Sequence, residues 1–175
     1  ICYYKGTDSN PENTKASVVS IENTETGLID AVGTGIFAKD ELGKDALHVL
    51  NNGTIKTERE NIQPISTILS PHIGIFGNNA EIVNNGLIDL SRYGQGVVLE
   101  GGSIINNGTI NLKLGIGIYA SSASTTGESG TITNNGLIKI EDTSTEDLSS
   151  FVGTVSGIAQ AYDDFYAYNK KSLYK

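Results

Sequence analysis

Methionine is absent from this chain of 175 residues, so Ile1 is not an initiator and the chain reads as a piece excised or processed from a longer polypeptide. Cys2 is the single cysteine, which rules out an intrachain disulfide and leaves neither zinc-ligand spacing nor CxxC redox chemistry. Arginine is confined to Arg59 and Arg92. With a net charge of −8 and a pI near 4.7, the chain lacks the clustered cations that phosphate-backbone binding requires, and no nucleic-acid partner is expected. No apolar run is long enough for a transmembrane helix, so no membrane insertion by this segment is expected. No basic-then-apolar signal segment opens the chain. Apolar residues make up only 38%, against 21 glycines, which points to a thin core made of many short elements.

What is present is a repeat. Asn-Asn-Gly occurs at Asn51-Asn52-Gly53, Asn84-Asn85-Gly86, Asn106-Asn107-Gly108 and Asn134-Asn135-Gly136, each followed by Thr or Leu and then Ile. A degenerate copy, Thr26-Gly27-Leu28-Ile29, precedes them. The glycines at 27, 53, 86, 108 and 136 lie 26, 33, 22 and 28 residues apart. Repetition at a few tens of residues is the mark of a stacked architecture.

Two further motifs repeat in step with the first. Gly35-Ile36-Phe37-Ala38, Gly74-Ile75-Phe76-Gly77, Gly96-Val97-Val98-Leu99, Gly117-Ile118-Tyr119-Ala120 and Gly157-Ile158-Ala159-Gln160 form a second strand signal. Val49, Ile82, Ile104 and Ile132, each four residues before its glycine, form a third. Strands this short do not make stable independent hairpins, but stacked units bury each inward residue against its equivalents above and below. The pattern predicts an all-β solenoid of about five to six three-strand coils. It predicts one column of Ile29, Ile55, Ile88, Ile110 and Ile138, and another of Ile36, Ile75, Val97, Ile118 and Ile158. Residues 1–17 are a leading or capping segment, 18–161 the coils, and 162–175 a Tyr-rich end or a further coil.

At the Asn-Asn-Gly corner, glycine and asparagine are the residues that best tolerate positive φ. Repeated asparagines can also hydrogen-bond along the stack as an amide ladder. An Asn-Gly hairpin is the alternative reading of the same dipeptide, though hairpins do not explain why the other two signals recur in step. Insertions interrupt the repeat after the first strand at Lys56–His72 and Glu141–Val152, and after the second strand at Lys39–Asp45 and Ser121–Gly130. Same-corner insertions are three coils apart, so their loops should emerge roughly 14 Å apart. Loops of repeat proteins are where binding concentrates. The candidate ligand-binding residues are therefore Arg59, Glu60, His72, Thr125, Glu128, Asp142, Glu146 and Asp147.

No catalytic constellation stands out. His48 and His72 are single polar residues at strand edges, and no nucleophile elbow or phosphate-binding glycine loop with its lysine is present. Stacked parallel coils do host carbohydrate-cleaving enzymes that use paired carboxylates. The acids available for such work are Asp40 with Glu41, Asp142, Glu146 with Asp147, and Asp163 with Asp164, all of which read equally as solvated loop acids. Tyr162, Phe165, Tyr166, Tyr168 and Tyr174 crowd the end of the chain, either as a cap over the stack or as a binding platform. No cofactor or metal is expected.

The Asn-Asn-Gly-[Thr/Leu]-Ile repeats and their Gly-Ile-x-Ala partners, over about Val18 to Ala161, resemble passenger domains of large bacterial autotransporter adhesins of the fusobacterial type. The resemblance implies a right-handed, single-stranded parallel β-helix displayed at the bacterial cell surface or released outside the cell. It further implies a non-enzymatic adhesin stalk whose loops meet a glycan or protein on host cells or on other bacteria. A β-helical polysaccharide lyase or hydrolase is the competing expectation, and a purely structural spacer the third.

Overall fold

The structure is a computed structural model that describes residues 1–6, 16–43, 45–57, 72–123, 127, 129–141 and 156–161. These residues form strands β1 (Cys2–Lys5), β2 (Val18–Asn23), β3 (Leu28–Ala31), β4 (Thr34–Asp40), β5 (Ala46–Asn51) and β6 (Thr54–Thr57). Beyond residue 71 come β7 (His72–Asn84), β8 (Leu87–Asn106), β9 (Thr109–Ser121), β10 (Thr131–Asn134), β11 (Leu137–Ile140) and β12 (Ser156–Ala161). The fold is all-β, with no helix among the described residues, and every pairing between these strands is parallel. Parallel pairing at every corner excludes the hairpin reading of Asn-Gly.

Strand pairing sorts the chain into three families, each joining a strand to its equivalent one repeat later. The first runs through β3, β6, the start of β8, the start of β9, and β11. It stacks Ile29 on Ile55, Ile88, Ile110 and Ile138, the first column expected from the spacing. The second runs through β1, β4, the first half of β7, the middle of β8, the second half of β9, and β12. It stacks Ile36, Ile75, Val97, Ile118 and Ile158, the second expected column. The third family stacks Val49, Ile82, Ile104 and Ile132, and adds Ile21 of β2 at its head.

The inward positions alternate with outward ones, as a period of two requires. Ile36, Ile55, Ile75, Ile88, Val97, Ile110 and Ile118 are wholly excluded from solvent, and residues of all three families join one hydrophobic core. Branched side chains suit these columns because their few rotamers lose little on stacking. The chain's 22-residue minimal unit needs no loop at all, so β8 runs unbroken through two corners. A bulge between Leu90 and Tyr93 marks the first of them.

The Asn-Asn-Gly corner departs from expectation in its backbone. None of Gly53, Gly86, Gly108 and Gly136 has positive φ. Glycine is required there by proximity between units: a Cβ would lie 2.1 Å from the carbonyl oxygen of the preceding corner glycine at Gly86, Gly108 and Gly136, and 2.3 Å at Gly53. Left-handed residues sit instead at the corner between the second and third families. There Asn79 (φ 50°) occupies the register of Gly101 (φ 73°), since Asn78 pairs with Glu100 and Ala80 with Gly102.

Candidate functional site

The roots of the four insertions fall on two columns. Thr57 and Ile140 end the first-family strands that precede residues 58–71 and 141–155, and Leu90 and Leu112 stand between them in the stack. Asp40 and Ser121 end the second-family strands that precede the other two insertions. Of the candidate ligand-binding residues only His72 is among those described. It is half-buried at the start of β7, in register with Gly94. Arg59, Glu60, Thr125, Glu128, Asp142, Glu146 and Asp147 lie outside the described residues, as do Asp163, Asp164 and the terminal aromatic cluster.

The loop between β4 and β5 carries a buried acidic pair. Asp40 accepts hydrogen bonds from the amides of Leu42 (2.9 Å) and Asp45 (2.7 Å), which closes the turn at Gly43. Asp45 accepts from Tyr3 Oη at 2.5 Å, Lys5 Nζ at 2.8 Å and the Ser17 amide at 2.8 Å. Tyr3 and Lys5 share one face of β1, so this strand and the loop clasp each other. Burial, then the Asp45 carboxylate, pushes the Tyr3 phenol up to about 12. Burial alone would raise Asp45, but the donors Lys5, Tyr3 and Ser17 outweigh it and hold the carboxyl below its ordinary range. Asp45, its oxygens taken by Tyr3, Lys5 and Ser17, ties β1 to the loop as a clasp.

Nothing in the repeat announced Tyr3, Lys5 and Asp45. The only available signal was the alternation of Tyr3 and Lys5, which places both on one face of any strand. His48 stands on the outer face of the third family, its Nδ1 3.0 Å from Glu81 Oε2. Also outward, Asp30, Lys56, Asp89, Asn111 and Lys139 form one column of the first family, with Asn111 Nδ2 donating to Asp89 Oδ1 at 3.0 Å. On the second family Phe37 and Phe76 stack with ring centroids 4.8 Å apart and planes 10° from parallel. Val98 and Tyr119 continue that column.

The corner asparagines form two ladders of opposite polarity. In the buried one each Nδ2 donates to the Oδ1 of the following unit, from Asn23 to Asn51 (2.8 Å), Asn84 (2.7 Å), Asn106 (2.7 Å) and Asn134 (2.7 Å). In the outer one donation runs backwards, from Asn135 to Asn107, Asn85 and Asn52, each step 2.9 Å. The two lines of amide dipoles therefore oppose each other along the stack. Backbone bonds reinforce both, with Asn51 O accepting from Asn85 N (2.8 Å) and Gly86 N (3.0 Å). The corner residues thus hold one unit to the next.

Among the described residues no group of three or more His, Cys, Asp or Glu is arranged to hold a metal, and no helix is long and apolar enough to cross a membrane. No family model matches the chain, and no curated protein or solved structure matches it.

Proposed function

We propose that this chain is a segment of a right-handed, single-stranded parallel β-helix of about five to six three-strand coils. In this reading it serves as a non-enzymatic adhesin stalk of the autotransporter passenger type, displayed at a bacterial surface, whose loops meet a glycan or protein of a host cell or neighbouring bacterium. The observation that carries the reading is the confinement of every insertion to a junction between strand families, while the three families keep one register. Such an arrangement leaves the inner columns free to stack and puts all variation into the loops.

The test is an array of host glycans and surface proteins probed with the purified chain. Binding should fall by about tenfold or more, equivalent to losing roughly 1.4 kcal/mol, when residues 58–71 are replaced by a short turn. Turnover of a polysaccharide, lost on substituting an acidic pair, would replace the adhesin reading with a lyase or hydrolase. Failure to bind any member of the array would leave a spacer.

A further inference from the structure

The Asn-Gly steps at the four corners are alike in sequence and unlike in how they are held. An asparagine before glycine is open to attack on its side-chain amide carbon by the glycine backbone nitrogen, because no side chain hinders the approach. Three of those nitrogens are engaged: Gly86 N donates to Asn51 O (3.0 Å), Gly108 N to Asn84 O (2.9 Å) and Gly136 N to Asn106 O (2.9 Å). Gly53 N makes no such bond. The unit before it has a longer corner, Asn23-Thr24-Glu25-Thr26-Gly27, closed by Gly27 N donating to Thr24 O at 2.8 Å. Asn23 O accordingly accepts from Asn52 N alone, at 2.8 Å.

The leaving amide differs in the same direction. Nδ2 of Asn85, Asn107 and Asn135 each donates at 2.9 Å to the amide oxygen of the preceding unit. Asn52 Nδ2 has no asparagine beneath it and reaches Glu22 Oε1 at 3.5 Å. Nucleophile and leaving group are both least restrained at the one corner where the ladder begins.

We propose that Asn52-Gly53 is a site of spontaneous self-modification, the one corner of the four that converts to aspartate and isoaspartate in the folded protein. Solvent base removes the Gly53 amide proton, the nitrogen bonds to Asn52 Cγ, and the Cγ–Nδ2 bond breaks with release of ammonia. Water then opens the five-membered succinimide at either carbonyl, giving aspartate or isoaspartate without any redox change. Either product places a carboxylate beside Glu22. The isoaspartate also lengthens the main chain by one methylene beside Thr54, whose amide bonds to Gly27 O at 2.9 Å. The product therefore loosens the junction between β2 and β5 and alters the acceptor that Asn85 Nδ2 uses at Asn52.

Peptide mapping by mass spectrometry, after incubation of the folded chain in ¹⁸O-labelled water at mildly alkaline pH, reads all four positions in one sample. Position 52 should incorporate label at least about tenfold faster than positions 85, 107 and 135, the factor that about one hydrogen bond of protection supplies. In urea the four rates should converge. Equal rates in the folded chain, a faster rate at any of the other three, or no conversion at position 52 while the unfolded chain converts, would each overturn the proposal.

Discussion

An inner asparagine of the buried ladder gives one amide bond to the next unit and receives one from the unit before, so its removal orphans a group on each side. Asn84→Ala leaves Asn51 Nδ2 and Asn106 Oδ1 without partners in a site closed to solvent. Two such orphans should cost about 2–6 kcal/mol, since each unsatisfied buried group costs on the order of 1–3. The same change at Asn85 opens two bonds that water replaces, and should stay within about 0.5 kcal/mol. Urea denaturation of the pair distinguishes a ladder that holds the stack from one that merely decorates it. Glycine offers a parallel contrast. Gly108→Ala sets a Cβ 2.1 Å from the Gly86 carbonyl oxygen, a backbone atom that cannot yield, and should cost about 2 kcal/mol or more. Gly101→Asn keeps a left-handed residue where the preceding unit already uses Asn79, and should stay within about 1 kcal/mol. Were positive φ the reason for the corner glycines, Gly108→Asn would be tolerated as Asn is at position 79, whereas the contact with Gly86 predicts that it costs as much as Gly108→Ala.

At the scale of the element, β1 is the strand whose attachment depends most on side chains. It joins the second family through backbone bonds such as Phe37 N to Ile1 O and Glu41 N to Lys5 O, both 2.9 Å, but Asp45 ties it to the loop. Two titrations therefore bound its stability. The Asp45 pKa is lowered on folding, so its contribution is present above the unfolded value of 3.8 and is lost as pH falls through the lower folded value. The Tyr3 pKa is raised, so its contribution is complete below the unfolded value of 10.0 and is lost as pH rises from there through about 12. The protection of the Phe37 and Glu41 amides relative to the unfolded chain at the same pH should fall at both extremes, and Asp45→Ala should lower it at neutral pH. Unchanged protection in that variant would mean that backbone pairing alone holds β1. This element was not legible in the sequence, and the reason is physical. The repeat shows itself because each unit meets a copy of itself, whereas Tyr3 and Asp45 meet 42 residues apart and occur only once. The inner columns were legible to the residue, since a period-two strand and an in-step repeat leave only one register that buries Ile88 on Ile55. The loop candidates were legible only as interruptions of the repeat, because length says where chain leaves the stack and nothing of what it meets.

Stability of the whole molecule should follow from the stack being nearly one-dimensional, each unit touching mainly the one before and the one after. The strands at the two ends of the described stack are the less well packed. Ile29 at one end and Ile138 at the other, inward residues of the first column, are only partly buried, and Ile158 of the second column is 46% exposed. Central columns are closed on both sides, Ile88 lying between Ile55 and Ile110 with no exposure. Ile88→Ala removes a side chain whose neighbours above and below are themselves fixed by the register, so the space left cannot collapse. It should cost about 3–4 kcal/mol. Ile138 stacks on Ile110 and is only partly buried, so Ile138→Ala should cost about 1–2 kcal/mol. The two substitutions should differ in reach as well as in size. A fault at Ile138 lets β11 open locally, leaving amide protection in β5 and β7 unchanged, because few contacts connect them. A fault at Ile88 interrupts the column in the middle and should lower protection in the units on both sides, splitting a single urea transition into two. Exchange measured across the chain reads both effects. Equal loss of protection everywhere from Ile138→Ala would show that the units unfold together, and that the ladders and the shared core couple them more strongly than contact between neighbours alone provides.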